Sequence, residues 1–589
     1  MNLINLKFSL TTVIIIFLVT LGLSSYNRKH LTYKGILWLM ILNNLILLSY
    51  CCYNWDLYIV DYATENLCLK INTNTWENLP YEISFRINTL SFSFLLLVII
   101  IGFATNIYIL NYFKYEERAE EFILLINWFI FSMIFLVISN TLFTLIIGWE
   151  LIGLTSFLLI NFWKFKITTL SCSFKAYSFN KVSDLFLILG CTILWNHYKI
   201  NNIETLLTYI SMNKVDNSVI TYSCICFLIS ASIKSAQIIG HLWLPDSMEA
   251  PVPASALIHS ATLVSAGIYL ILKFQTLFVI SQMLDVIFFL GSLTACFGGL
   301  IAASQTDMKK LLAYSTISHC GFIMASISLN NFLITIIYLY LHGLFKASTF
   351  FCAGSIIKTN NTQDMRLMGF GNTQNLDTTS LIISAANLGG LPFTFGYLYK
   401  QFFITQLSTT NFSWISIGFC LIGLLTSVIY VYKLIYYSCF DFRKGFLQII
   451  PLLLQNTLVN NIKLFLNYTI SKLFSFMIIY LYCFFFYIII NMFFVDHYIF
   501  FQHLPESTIY EYKFFENYFF LKKYIINIYY VLFFLTVNVL ILNTWRSNFF
   551  YYDTFELFLN LWGFFCSVHI IRGILKLIDN YVSILSLYL

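Results

Sequence analysis

Apolar runs long enough to cross a bilayer recur along the whole chain. They lie near 10–25, 35–52, 88–110, 121–138, 141–163, 178–195, 219–240, 253–273, 282–303, 309–328, 332–357, 380–405, 413–437, 470–494, 524–543 and 556–577. A helix of about 20 apolar residues spans the hydrocarbon core. The pattern therefore predicts an all-α polytopic membrane protein with about 14–16 transmembrane helices, since short or interfacial segments can mimic spans. The longest polar insertion, 54–86, is expected to fold outside the lipid as a hairpin. Within 441–523, "DHYIFFQHLPESTIYEYKFFENYFFLKKY" mixes charges with aromatic residues and reads as interfacial or as packing on a partner.

Composition agrees. Of 589 residues 59% are hydrophobic and 10% charged, against about 25% charged in a soluble domain. The net charge of +6 is dispersed with no Lys/Arg-rich run, so no nucleic-acid surface is expected. The 14 cysteines sit mostly in apolar runs without a C-x-x-C, which argues against zinc or iron–sulfur ligation. Gly369-Phe370-Gly371 lacks the third glycine of a dinucleotide loop. Abundant Phe, Tyr, Ile, Asn and Lys with 7 prolines resemble an AT-rich, organellar coding sequence. The opening "MNLINLKFSLTTVIIIFLVTLGLSS" reads as a first span, not as a transit or signal peptide. Asp307-Met308-Lys309-Lys310 and Glu116-Glu117-Arg118-Ala119-Glu120-Glu121 read as solvated loops.

An internal echo organises the middle. Phe174-Lys175-Ala176 recurs as Phe345-Lys346-Ala347, and Lys234 stands at nearly the same offset from Lys400. About five runs separate the equivalents. An odd number of spans reverses orientation, so the repeat would be inverted, as in many ion transporters. Each half has a candidate helix interruption, at Pro245 and at Gly389-Gly390-Leu391-Pro392. Irregular backbone at membrane depth needs protein or water around it. The implied division is 1–120 (N-terminal helices with the extramembrane loop), 121–274 (first repeat), 275–440 (second, inverted repeat) and 441–589 (C-terminal helices with an interfacial or lateral element and a terminal anchor).

Glu150, Lys175, Asp184, Lys234, His259, His342, Lys346 and Lys400 lie in apolar context. A central Lys or Asp costs roughly 2.5–3.5 kcal/mol on the insertion scale, so such groups need partners or a task. Lys175 is expected to snorkel, and Asp184 to partner a basic group elsewhere. His342 and Lys346 share a helix face at i, i+4. His259 has a side chain suited to proton exchange. A lysine in a low-dielectric site holds its proton less well, and a nearby carboxylate restores the affinity. Glu150 is expected to be the charge that sets the protonation of Lys234, paired across adjacent helices.

The motifs "GWELIGLTSFLLINFW", "KSAQIIGHLWLPDSMEAPVPASALIHSATLVSAG", "SQTDMKKLLAYSTISHCGF", "HGLFKASTFFCAGSIIK" and "LGGLPFTFGYLYKQFF" closely resemble the chain 5 family of NADH:ubiquinone oxidoreductase. These are the distal antiporter-like subunits of respiratory complex I. The resemblance covers roughly 80–440. Gly-Trp-Glu-x-x-Gly-Leu and a lysine at 400 point to chain 5 over the sister chain 4. It implies two inverted five-helix repeats with broken helices. It also implies a proton relay of Glu150, Lys234, His259, Lys346 and Lys400, with Asp184 matching the acid of an N-x-V-x-D pattern and His342 alongside. No cofactor or metal is implied in this chain. NAD, FMN, iron–sulfur clusters and ubiquinone are expected in other subunits. Implied partners are the other membrane-arm subunits, above all the adjacent chain 4, and lipids such as cardiolipin. The implied location is the mitochondrial inner membrane. The family ends in a long lateral helix and an anchoring span. Residues 556–577 can supply the anchor, but no full-length amphipathic helix precedes them.

Two other functions compete: a subunit of a multi-chain sodium/proton antiporter, whose large subunit resembles this core, and a structural subunit that retains the charges without pumping. The full set of charges argues against the second. Those antiporter subunits usually carry extra C-terminal domains, and the organellar bias favours the complex I reading.

Overall fold

The computed structural model describes Gly22 and residues 33–54, 65–70, 82–114, 116–212, 217–360, 362–368, 375–391, 394–407 and 412–440. The spans expected at 10–25, 470–494, 524–543 and 556–577, and the stretch 441–523, lie outside the described residues. The chain divides into two compact units, Met1–Phe403 with Asn411–His497, and Ile404–Thr410 with Tyr498–Leu589. Glu150, Lys234, Lys346 and Lys400 all belong to the first.

The described chain opens with α1 (Tyr33–Tyr53) and an antiparallel strand pair, β1 (Glu65–Lys70) and β2 (Glu82–Ile87), with Leu67 opposite Phe85. This is the hairpin expected in the polar insertion. Helices then follow in order: α2 (Thr89–Tyr112), α3 (Ala119–Ile138), α4 (Leu142–Ile160), α5 (Ile167–Tyr198), the short Ile203–Met212, and α6 (Asn217–Lys234). After a one-turn helix, Trp243–Asp246, come α7 (Val252–Ser260), α8 (Leu263–Lys273), α9 (Leu284–Ser304), α10 (Met308–Ser328), α11 (Phe332–Asn360), α12 (Asn375–Gly389), α13 (Phe395–Leu407) and α14 (Trp414–Ile435). Eleven helices among the described residues are long and apolar enough to cross a membrane, with 252–273 counted as one. They correspond to eleven of the expected runs. The twelfth, 380–405, is split into α12 and α13.

Local chemistry starts these helices where the sequence allows. Asn88 and Ser91 form a reciprocal capping box on α2, at 2.9 and 2.7 Å, and Thr141 and Thr144 do the same for α4. Glu120 and Glu121 sit in the first turn of α3, where carboxylates favour the helix dipole. The core lies on 252–273, α10 and α11. The most apolar window is wholly buried in the first and 94% buried in the other two, against 39% in α5. Helices α9 and α10 approach closely through small residues. A Cβ on Gly291 would stand 2.6 Å from the Ala325 amide nitrogen, and one on Gly321 2.5 Å from that of Ala295.

Lys234 and Lys400 lie beside helix breaks of the same design. Helix α6 ends at Lys234. Beyond it the Ala236 N–H reaches the Ile233 carbonyl, the Gln237 N–H reaches Ser232 at 2.8 Å, and Ala236 has φ 51°. Helix α12 ends at Gly389. The Gly390 N–H reaches the Asn387 carbonyl, the Leu391 N–H reaches Ala386 at 3.0 Å, and Gly390 has φ 70°. Both are Schellman motifs. The first break therefore falls directly after Lys234 and not at Pro245. That proline sits in the first turn of Trp243–Asp246, where its missing N–H costs nothing. Side chains satisfy the freed backbone: Trp243 Nε1 donates to the Ile233 carbonyl at 2.9 Å, and Asn387 Oδ1 accepts from the Phe395 N–H at 3.2 Å. Left-handed backbone costs an L-residue about 1–2 kcal/mol. Ala236→Gly is thus expected to raise the thermal midpoint. Gly390→Ala is expected to lower it, since its Cβ would also stand 2.6 Å from Lys400 Cδ. The opposite sign in thermal unfolding of the detergent-solubilised protein would exclude the strained turn at that position.

Candidate functional site

Helices α4, α5 and α6 assemble the first charge cluster. Glu150 Oε2 lies 3.3 Å from Lys181 Nζ, Lys181 Nζ lies 3.5 Å from Asp184 Oδ2, and Asp184 Oδ1 lies 3.6 Å from Lys234 Nζ. The charges alternate in sign and sum to zero. Lys181 and Asp184 are one turn apart on α5, so one helix face supplies the middle of the chain. Lys234 is fully buried. Its ammonium donates to the Trp149 carbonyl at 2.5 Å and lies 4.1 Å from the centre of the Trp149 ring. Trp149 is held in turn: its Nε1 donates to Ser183 Oγ at 3.3 Å, and Ser183 donates to the Ser230 carbonyl.

The expected direct pairing of Glu150 with Lys234 does not occur. Successive helical side chains point about 100° apart, so the turn that presents the Trp149 ring to Lys234 sends Glu150 elsewhere. The Glu150 side chain is 45% exposed and meets Lys181. Asp184, at 5% exposure, is the carboxylate of Lys234. Opposite charges at this separation attract by about 4 kcal/mol at an effective dielectric of about 20. That offsets most of the roughly 6 kcal/mol of inserting both. Lys175 pairs with Asp246 at 2.7 Å instead of snorkelling alone. Lys309 is not solvated as expected: it reaches the Met248 and Ala250 carbonyls at 3.3 and 3.4 Å.

The remaining groups use neutral partners. Lys346 donates to Ser315 Oγ at 2.5 Å. Lys400 donates to the Gly389 carbonyl at 2.7 Å and to Ser427 Oγ at 2.6 Å, so its cation meets the exposed carbonyl end of α12. Among the described residues, no carboxylate forms an ion pair with Lys346 or Lys400. His259 stacks on Phe350 and shares a hydrogen bond with Ser247 Oγ at 3.1 Å through Nε2. His259 Nδ1 and His342 Nε2 are buried with no protein partner. Two residues of this set escaped sequence reasoning. Lys181 could have been found from its one-turn spacing to Asp184. His319, in the apolar "STISHCG", carried no local signal. No group of three potential metal ligands occurs among the described residues.

Broken helices with buried lysines at their breaks define an antiporter-like membrane protein. Residues 139–429 match the family described as NADH:quinone oxidoreductase/Mrp antiporter, TM. The chain is similar to NADH-ubiquinone oxidoreductase chain 5 of Paramecium tetraurelia, 42% identical over 71% of this chain and 75% of that one. It is also similar to chain 5 of Wickerhamomyces canadensis, 34% identical over 72% of this chain and 66% of that one. In fold it resembles a chain of the Mrp complex from Dietzia sp. DQ12-45-1b, with a TM-score of 0.66 and 21% identity, covering 84% of this chain and 57% of that one. A chain of an archaeal membrane-bound sulfane sulfur reductase gives 0.65 and 16%, covering 80% and 97%. The chain belongs to the NADH-ubiquinone oxidoreductase chain 5 family.

The two acids should differ in weight. Removing one partner of a buried ion pair costs about 3–5 kcal/mol, whereas an exposed pair contributes about 0–1 kcal/mol. Asp184→Asn is therefore expected to lower the thermal midpoint of the solubilised protein well below that of Glu150→Gln. Equal effects would mean that Lys234 does not depend on Asp184.

Proposed function

We propose that this chain is a proton-translocating membrane subunit of NADH:ubiquinone oxidoreductase in the mitochondrial inner membrane. In this reading protons pass among Glu150, Lys181, Asp184, Lys234, His259, His342, Lys346 and Lys400. The observation that carries it is the unbroken series Glu150–Lys181–Asp184–Lys234, with links of 3.3–3.6 Å, ending on a lysine at a helix break. Moving a proton onto or off any member changes what its neighbours hold, because the links are short and the Asp184–Lys234 end is buried. Lys346 and Lys400 rest on hydroxyls and carbonyls, so they can exchange protons without breaking an ion pair. The chain 5 relatives support the coupling to NADH oxidation. NAD, FMN, iron–sulfur clusters and ubiquinone are then held by other subunits, and this chain carries no redox centre. Its partners in this reading are the adjacent antiporter-like chain 4 and lipids such as cardiolipin.

A subunit of a sodium/proton antiporter is the second reading, favoured by the fold likeness to the Mrp complex. Sodium needs a cage of oxygen ligands, whereas the groups at the second break include an ammonium. The complex assembled with Lys400→Ala, in sealed vesicles, is expected to oxidise NADH but to move fewer protons per NADH than the wild type, with no dependence on sodium. Wild-type translocation by Lys400→Ala would refute the role of Lys400. Strict sodium dependence would favour the second reading.

A further inference from the structure

The groups on α11 and the lysine on α13 are joined by a polar route that the proposed relay does not use. We infer that His319, hydrogen-bonded between Tyr338 and Tyr430, is a further proton-transfer residue linking the α11 groups to Lys400. This rests on the proton-carrying reading above.

His319 lies on α10 and is 1% exposed. Its Nδ1 is 2.5 Å from the Tyr338 hydroxyl on α11, and its Nε2 is 2.9 Å from the Tyr430 hydroxyl on α14. A buried histidine with both nitrogens satisfied is by itself an ordinary core residue. Its surroundings make it more than that. On one side, the His342 ring centre is 5.5 Å away, and His342 Nε2 has no protein partner. His342 is one turn from Tyr338 in one direction and one turn from Lys346 in the other, so all three share a face of α11. On the other side, Tyr430 and Ser427 are one turn apart on α14, and Ser427 Oγ accepts from Lys400 Nζ at 2.6 Å. Tyr338 also stacks on Tyr399, the neighbour of Lys400, at 3.9 Å. The sequence of groups is thus Lys346 and His342, Tyr338, His319, Tyr430, Ser427, Lys400. It contains no carboxylate, and the imidazole at its centre is bonded on both sides.

The transfer balances without any co-reactant. The Tyr338 hydroxyl gives its proton to Nδ1 while taking one from the His342 side. The proton on Nε2 leaves for the Tyr430 oxygen while Tyr430 releases its own toward Ser427, through a hydroxyl rotation or one water. One proton enters and one leaves, and no bond between heavy atoms changes. The ring is left with its proton on Nδ1, and it resets by turning about its side-chain bonds so that the protonated and bare nitrogens exchange partners before the next transfer.

The test compares His319→Gln and His319→Ala in the assembled complex in sealed vesicles. Glutamine offers a donor and an acceptor to the two tyrosines but cannot carry a proton. Both variants are expected to oxidise NADH. Translocation through this chain should fall about 100-fold in each, the scale of one acid–base group, and appear as fewer protons moved per NADH. Rescue by glutamine but not by alanine would show a purely structural histidine and overturn the inference, as would wild-type behaviour of both. If His319→Gln does not assemble, Tyr430→Phe, which deletes a single oxygen, decides: lost translocation supports the route, and normal translocation refutes it. Lys400→Ala run in parallel separates the two levels. Should it be defective while His319→Gln is normal, only this inference fails. Should both be normal, the proton-carrying reading fails with it.

Discussion

Backbone amides and carbonyls in hydrocarbon have no water to bond, so every departure from helix must be satisfied by protein. The rest of the structure depends on that constraint. At each break a Schellman turn takes up two carbonyls; Trp243 Nε1 donates a second hydrogen bond to one of them, the Ile233 carbonyl, and Asn387 Oδ1 accepts from the Phe395 N–H. A lysine ammonium stands near each turn. Lys400 takes the Gly389 carbonyl at the end of α12, and Lys234 takes the Trp149 carbonyl on α4. At the second break the carbonyl end of α12 thus binds a cation, and the cation in turn satisfies the freed carbonyl.

The two halves solve the same electrostatic problem differently. Around Lys234 two carboxylates and Lys181 form a neutral series, so the ammonium is stabilised by charge. Around Lys346 and Lys400 it is stabilised by dipoles, from Ser315, Ser427 and Gly389. A charged partner holds a cation more strongly than a hydroxyl does. The halves therefore respond differently to a change of charge nearby, which suits a device that loads a proton in one place and releases it in another.

Much of this is legible in the chain itself. Hydropathy locates every transmembrane helix among the described residues, because hydrocarbon selects for length and apolarity one segment at a time. That Asp184, Lys234, Lys346 and Lys400 are charged groups in apolar context can be read for the same reason, and all four are buried. Sequence reasoning goes astray where direction in space matters. Glu150 and Trp149 are neighbours in the chain, yet they face different partners. Pro245 has the look of a helix breaker, but the break is made at Ala236, because a proline in a first helical turn disrupts nothing.

The sequence by itself determined that the chain spans a membrane, that two helices break near lysines, and which family it belongs to, since each of these is written in local pattern or motif. The tertiary structure alone decided which acid serves which lysine, that Lys181 stands between Glu150 and Asp184, and that His319 lies between two tyrosines from other helices. The reason is geometric. Ion pairs and hydrogen bonds are made within about 4 Å between groups that are tens to hundreds of residues apart in the chain. Which of them meet depends on how the helices rotate about their axes when they pack, and the hydropathy of one helix does not specify that rotation.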